Sequence, residues 1–247
     1  MPRDGTATRE RILDVATEIA MDRGFAAASL DEILGQSEVT KGAFYHYFDS
    51  KADLGRAILD RYATADLETL DRLWTQAEQL SRDPLQQVLL FVGLFANLDE
   101  LATDDPGCLY ATFIYERQLG VDGAIDVIQA SIRAWRDRFR AKLDEVIERY
   151  PPRLDVDLDA LSDLVFSTSE GAYIVARATR DPALVRGQLL QVRAYLELLF
   201  APAVAPFPGG RAAPARAPAA RAAPAAGPAS QAPSGRGSGA SERRRKA

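Results

Sequence analysis

The sequence predicts an all-α protein of about nine helices, and two observations carry that prediction. Apolar residues recur at spacings of three and four through most of the first 200 residues, which is the repeat of one helix face. Glycines and prolines interrupt the repeat at Gly24, Pro84, Pro106-Gly107 and Pro151-Pro152, where helices are expected to begin or end. With 247 residues and 47% hydrophobic content, the chain can form one large or two small globular units.

Composition excludes several classes of protein. The sequence contains no run of about 18 apolar residues, so no membrane span is predicted. The first eight residues have no apolar signal core. We therefore expect no membrane partner and a cytoplasmic location. Cys108 and His46 are the single cysteine and the single histidine, too few for an internal disulfide, a zinc site or a His-based catalytic triad. No nucleophile-base arrangement or phosphate-binding glycine loop is present, so the prediction is no enzyme, no catalytic residue, no metal and no cofactor.

The first 50 residues are predicted to hold three short helices. Thr6 to Arg23 has an apolar stripe that includes Ile12, Ala16 and Ile19, and Gly24 ends it. Ser29 is the expected N-cap of the second helix, in a capping box with Glu32. Thr40 is the expected N-cap of the third, over residues 40–47, and the tight turn between them makes a helix-turn-helix.

The third helix carries side chains that are unusual on a protein surface. Phe44 and Phe48 stand four apart and are predicted to pack inward with Val39. That leaves outward, or at the border, Lys41, Gly42, Ala43, Tyr45, His46 and Tyr47. Small residues permit close approach to a groove floor, and a lysine and phenolic hydroxyls donate to phosphate oxygens, so the mixture suits the major groove of DNA. The alternative is an aromatic-rich core helix.

Residues 39–48, VTKGAFYHYF, followed by Ser50-Lys51 and Leu54, closely resemble the DNA-binding head of TetR-family transcriptional regulators. Residues 12, 13, 16, 24, 25, 29, 30 and 33 are similar to that family's first helix and the turn after it. The resemblance covers about a fifth of the chain. It departs at Gln36, where alanine is more usual, and at Glu38, where many members have glycine; we expect residue 38 to accept a positive φ at modest cost. The DNA contacts that it implies are Ser29, Thr40, Lys41, Gly42, Ala43, Tyr45, His46, Tyr47 and Lys51.

We divide the chain into a helix-turn-helix domain over 1–50, a ligand-binding and dimerisation domain over 51–200, and a tail over 201–247. A helix of about 28 residues from Lys51 is expected to link reader and body as a lever. The remaining helices are expected to start at Asp83-Pro84, after the turn at 104–107, at Asp122, at Asp157 and at Pro182. They form a six-helix body together with the lever.

A pocket for an unidentified small-molecule effector is expected inside the body, although the apolar fifth helix is equally consistent with plain core. The predicted lining is Phe91, Phe95, Cys108, Tyr110, Phe113, Tyr115, Glu116, Trp135, Phe139, Phe166 and Tyr173. Gly107-Cys108-Leu109 looks like one subgroup of the family, some members of which respond to electrophiles or small unsaturated acids. Cys108 near a helix N-terminus is expected either to have a lowered thiol pKa or to be a small buried hydrophobe.

The resemblance implies that the last two helices pair with those of a second subunit as a four-helix bundle. The residues predicted for that homodimer interface are Leu161, Val165, Thr168, Ala172, Val175, Leu189, Val192, Leu196 and Leu199. A two-fold dimer would present two reading heads to a palindromic DNA site.

The tail differs in composition from the rest. It holds eight basic residues and one acidic residue, which gives it a net charge of +7. Because the whole chain has a net charge of −5, the first 200 residues have a net charge of −12. An acidic body is atypical of a nucleic-acid binder, but a small contact face can be locally basic, because charges beyond about 8 to 10 Å are screened. We expect the Ala/Pro/Arg-rich tail to be disordered, with its closing Arg243–Lys246 cluster either attracting phosphates or having no function.

Together, the resemblance implies a ligand-responsive repressor that binds a palindromic double-stranded operator as a homodimer and releases it on binding an effector. Two alternatives remain open: a transcriptional activator with the same head, and a nonspecific nucleoid-associated DNA-binding protein.

Overall fold

The computed structural model describes residues 5–98, 107–116 and 121–201, and within these ranges the chain forms nine α-helices and no strand. They are α1 (Gly5–Arg23), α2 (Leu30–Gln36), α3 (Lys41–Phe44), α4 (Lys51–Leu80), α5 (Pro84–Phe95), α6 (Leu109–Tyr115), α7 (Ala124–Arg149), α8 (Leu158–Thr179) and α9 (Ala183–Phe200). The all-α prediction and the number of helices are confirmed. No helix in the described ranges is long and apolar enough to cross a bilayer. The predicted tail lies outside them, apart from its first residue.

Side-chain caps set the start of several helices. Ser29 Oγ accepts the backbone N–H of Glu32 at 3.1 Å, which is the predicted N-cap of α2. The Glu32 carboxylate does not complete the capping box, since it bonds Arg23 instead. Asp83 caps α5, and Pro84 occupies the first helical position, where its missing N–H has no intrahelical partner to lose.

The helix-turn-helix differs from the prediction in the length of its second helix. Glu38, in the turn, adopts a φ of 52°, as its place in the pattern suggested. α3 has four residues, and the segment that follows is a tighter turn, because the N–H groups of His46 and Tyr47 bond the carbonyls three residues back. The predicted 40–47 helix is therefore helical only over 41–44, although 45–47 continue its direction as bonded turns.

Buried apolar residues form two clusters that do not follow the predicted domain boundary. The first joins α1, α2 and α3 to the first part of α4, to α6 and to the start of α7. The second joins the rest of α4 to α5, α7, α8 and α9 around Trp74, Phe91 and Phe139. The core of the reading head thus extends past residue 50 and includes α6 of the body.

Candidate functional site

The reading surface rests on two buried rings. Phe44 is 0% exposed and Phe48 is 2% exposed, with ring centroids 5.5 Å apart. Val39 is also buried in the same cluster. These three side chains anchor α3 and the turn after it against α1, α2 and α4, so the opposite side of the segment must face outward.

That outward side carries the predicted DNA-contacting residues. Tyr45 is 49% exposed, and Lys41, Gly42 and His46 are exposed beside it. Thr40 is exposed and caps α3 through the N–H of Ala43, which is half-buried. Lys41 at the start of α3 and the Tyr45 phenol at its end can donate to phosphate oxygens and base edges. Gly42 between them has no side chain, so the backbone can approach a groove floor closely.

Besides Thr40, three of the predicted contacts have internal partners in this structure. The Lys51 ammonium donates to the Ala26 carbonyl at 3.2 Å and lies 4.9 Å from the centroid of the Phe25 ring. Partial burial lowers the pKa of Lys51, against an opposing effect of nearby Glu116. Ser29 serves as the cap of α2, and Tyr47 is half-buried with its ring edge-on to His46. The contacts of Lys51 with Ala26 and Phe25 therefore link α4 to the turn between α1 and α2.

A cavity of about 200 Å³ lies in the body, between the two apolar clusters. Its lining includes Tyr62, Asp66 and Thr69 from α4, Phe95 from the end of α5, Trp135 from α7 and Tyr173 from α8. Trp135 Nε1 donates to Asp66 Oδ2 at 2.9 Å, and the Tyr110 hydroxyl donates to the same oxygen at 3.1 Å. Burial raises the pKa of Asp66, and these two hydrogen bonds oppose that shift.

Comparison with known proteins identifies the family. Residues 12–58 match the family model described as bacterial regulatory proteins, tetR family. Transcriptional regulator AcuR of Cereibacter sphaeroides is 26% identical over 179 residues, which cover 72% of this chain and 80% of that protein. HTH-type transcriptional repressor DhaR of Mycobacterium sp. (strain GP1) is 24% identical over 176 residues, 71% of this chain and 85% of that protein. The crystal structure of regulatory protein TetR from Rhodobacter sphaeroides superposes with a TM-score of 0.63 at 24% identity, over 75% of this chain and 97% of that chain.

The chain belongs to the TetR family of bacterial transcriptional regulators. The family consists of DNA-binding regulators, which confirms that this TetR-family chain is not an enzyme.

The predicted pocket lining of this TetR-family chain divides into three groups. Phe95, Trp135 and Tyr173 line the cavity, Tyr110 hydrogen-bonds its acid, and Phe166 lies 6.5 Å from Trp135 between ring centroids. Phe91 and Phe139 are instead core residues, because both pack on Trp74, with the Phe91 ring stacked at 4.1 Å.

The third group, at the end of α6, faces the reading head instead of the cavity. Phe113 stacks on Phe25 at 5.4 Å, and Glu116 accepts the Ala26 N–H at 2.9 Å. Tyr115 points to solvent, with 79% of its surface exposed. Successive side chains of a helix point in different directions, and in this structure Phe113, Tyr115 and Glu116 do not line the cavity as predicted.

The expected lowering of the Cys108 pKa is also wrong. The thiol is buried, and burial raises its pKa well above the ordinary value, with the adjacent Glu170 carboxyl raising it further. Hydrogen bonds from backbone N–H groups of α6 act in the opposite direction but are weaker. The second expectation, a small buried residue, describes Cys108 in this structure.

Sequence reasoning missed the α4 side of the cavity. Asp66 falls on the buried stripe of α4 that includes Leu59, Ala63, Leu70 and Leu73. An acidic residue on an apolar helix stripe is a usable signal, because a buried carboxylate needs a compensating partner. The neighbouring Tyr62 carries a similar signal, since a buried tyrosine hydroxyl also needs a partner.

The predicted dimer residues need the largest correction. Seven of them are buried in the protomer's own core, where they hold α8 and α9 together and against α5 and α7; they are Leu161, Val165, Ala172, Leu189, Val192, Leu196 and Leu199. Thr168 is half-buried, and Val175 is 46% exposed. The large apolar residues left exposed on these helices are Ile174 and Val175 on α8 and Tyr195 and Leu198 on α9. The helical repeat was interpreted correctly, but it marks the inward face.

Proposed function

We propose that this protein is a dimeric transcriptional repressor that binds a pseudo-palindromic operator and releases it when a small molecule enters the cavity between the two clusters. The observation that carries the proposal is the split of one short segment into buried phenylalanines and an outward lysine and tyrosine. The relative DhaR is named a repressor, which favours repression over activation. Binding to chromosomal DNA implies a cytoplasmic protein associated with the nucleoid.

Contacts between body and head support the coupling of effector and operator. Arg177 of α8 donates to the carbonyls of Met21 and Asp22 at the end of α1, at 2.8 and 3.0 Å. Glu116 of α6 accepts from Ala26 in the next turn. Tyr173 of α8 lines the cavity and Tyr110 of α6 bonds its acid, so a ligand that shifts α8 or α6 would tilt the head. A coupling free energy of about 1 to 3 kcal/mol changes DNA occupancy about 5- to 150-fold.

The exposed apolar residues on α8 and α9 support a two-fold partner. Ile174 is 60% exposed and Leu198 is 64% exposed, and a groove of about 540 Å³ between these helices has Leu164 and Tyr195 on its walls. Exposed large apolar side chains together with an apolar groove are typical of an interaction site. A second copy packed there would present two heads to successive major grooves.

The direct test measures binding of the full chain to the intergenic DNA next to its own gene, by fluorescence anisotropy and footprinting. We expect a short protected palindrome that overlaps a promoter. Lys41→Ala and Tyr45→Ala should each weaken binding by about tenfold or more, equivalent to about 1.4 kcal/mol, because each removes a donor from the groove-facing side. The melting temperature should stay near that of the wild type, since both side chains are exposed.

Tyr115→Ala is the matched control, because it removes an even more exposed tyrosine from the body. It should leave DNA affinity unchanged. Protection of DNA regardless of its sequence would contradict a repressor and favour the nucleoid-associated alternative. A protected palindrome upstream of the promoter, together with activation of the gene, would favour an activator. A loss of folding in the Lys41 and Tyr45 variants would show that these residues belong to the core.

A further inference from the structure

The cavity between the two clusters has a chemical character that suggests its ligand. Its dominant polar group is the Asp66 carboxylate, and both hydrogen bonds to that group reach Oδ2. Oδ1 accepts no hydrogen bond from the described residues. N–H and O–H donors favour the ionised carboxylate over the protonated acid. The cavity therefore contains a fixed negative charge with one acceptor atom open.

A second acid lies close to the first. Glu170 of α8 lies close enough to Asp66 for the two charges to repel, and the same carboxyl raises the pKa of the Cys108 thiol. Every ion pair found among the described residues uses other carboxylates, so neither acid has a lysine or arginine partner there. Two mostly buried acids without a cation leave the cavity electrostatically incomplete, because burial of charge without compensation is costly.

The remaining walls are aromatic. Phe95 and Trp135 pack with ring centroids 5.3 Å apart, and Tyr62 stands edge-on to Tyr110 at 4.9 Å. Tyr173 also lines the cavity. Aromatic faces attract organic cations, and the attraction reaches about 2 kcal/mol where water is excluded. A volume of about 200 Å³ is below the 300 to 1,000 Å³ typical of drug-sized ligands.

We propose that this cavity binds a small organic cation, such as a methylated ammonium, with the positive charge beside Asp66 Oδ1 and the methyl groups against the rings of Phe95, Trp135 and Tyr62. The inference rests on the proposed function, because it names the chemical class of the effector. A cation of this class neutralises Asp66 and packs against the aromatic rings, whereas a neutral molecule does only the second and an anion is repelled by Asp66 and Glu170.

The test uses the full-length dimer, choline as the cation and 3,3-dimethylbutan-1-ol as its uncharged isostere, at constant ionic strength. Calorimetry and tryptophan fluorescence measure binding. We expect choline to bind at least about tenfold more tightly than the alcohol. Asp66→Asn keeps the shape and the two hydrogen bonds but removes the charge, so it should abolish that preference. Asp71→Asn, on the exposed side of the same helix, is the matched control and should preserve it.

Equal binding of choline and the alcohol, or tighter binding of a small carboxylate such as acetate, would overturn the inference. Operator binding by the ligand-free protein is measured in parallel, so that the two proposals fail separately. Operator binding without choline binding overturns only the cation site. Choline binding without operator binding overturns the regulator and leaves the site intact. Trp135→Phe provides a second variant that should weaken choline binding if Asp66→Asn does not fold.

Discussion

Asp66 shows how a single residue can oppose folding in order to serve a site. It occupies a position on α4 where its helical neighbours are apolar, and burial raises the pKa of its carboxyl above the usual 3.8. The hydrogen bonds from Trp135 and Tyr110 reduce that shift without cancelling it. A residue that binds a ligand at the expense of stability is typical of functional sites.

The raised pKa leads to a prediction about pH. The folded state holds the Asp66 proton more tightly than the unfolded state does, so the stability from this group is complete below 3.8 and is lost as pH rises through the folded pKa. Asp66→Asn removes that loss, because an amide has no proton to release in this range. The variant should therefore be more stable than the wild type at about pH 7, and its advantage should shrink toward about pH 4.

Urea unfolding at both pH values measures this difference. Asp71→Asn, exposed on the same helix, should change the free energy of unfolding by less than about 0.5 kcal/mol at either pH. An Asp66→Asn variant that is less stable than the wild type at neutral pH would show that the carboxylate is a net stabilising group, held by Trp135 and Tyr110.

At the scale of the elements, α6 connects the body to the reading head. Phe113 stacks on Phe25, and the Glu116 carboxylate occupies the space beside Gly24 while it accepts from Ala26. Gly24 has a φ of 92°, a conformation that side chains rarely adopt. The turn between α1 and α2 thus depends both on a glycine and on a neighbouring helix from the body.

These contacts predict an energetic coupling between Gly24 and Glu116. Gly24→Ala should destabilise the protein by about 1 to 3 kcal/mol, from backbone strain and from overlap of the new methyl group with the Glu116 carboxylate. In a Glu116→Ala background the overlap is gone, so the cost of Gly24→Ala should be smaller. A double-mutant cycle of unfolding free energies isolates the difference.

Gly35→Ala is the control for this cycle. A Cβ at Gly35 meets no atom within 4 Å, and the residue is helical, so alanine there should stabilise by about 0.5 to 1 kcal/mol. Identical costs of Gly24→Ala in both backgrounds would mean that Glu116 does not contact the turn, and α6 would then reach the head only through Phe113.

At the scale of the whole molecule, α8 and α9 bury one face in the protomer and leave another apolar face outside. Ile174 and Leu198 are the most exposed of these residues. An isolated protomer would leave that area in water, which is unfavourable by about 25 cal/mol for each Å². The proposed association of two copies through this face would remove the area from water and align two reading heads.

Ile174→Glu combined with Leu198→Glu should therefore produce a folded monomer, because four like charges would meet at the two-fold interface. Light scattering after gel filtration measures the mass, and operator affinity should fall by about tenfold or more, since one head alone contacts half of the site. Leu67→Glu combined with Leu80→Glu makes the same change at two exposed leucines of α4 and should remain dimeric. A dimer that survives the first pair would place the interface on another face.

The sequence alone determined the helices, their caps and the reading segment. Ser29, Asp83 and Pro84 act through neighbours in the chain, and the spacing of Phe44 and Phe48 defines which side of their segment is buried. Local hydrogen bonds and the helical repeat contain all the information that these features need. The expectation of an all-α TetR-family regulator followed from them.

Only the tertiary structure decided which partner each apolar face meets. A periodic stripe states that a face is buried, but it does not distinguish burial within the protomer from burial between subunits, and so Leu189 and Leu196 were assigned to the wrong surface. The same limit applies to Glu116 and to Asp66, whose partners Ala26, Tyr110 and Trp135 lie 44 to 90 residues away in the chain. Contacts at that separation depend on how whole helices pack, which no local pattern encodes.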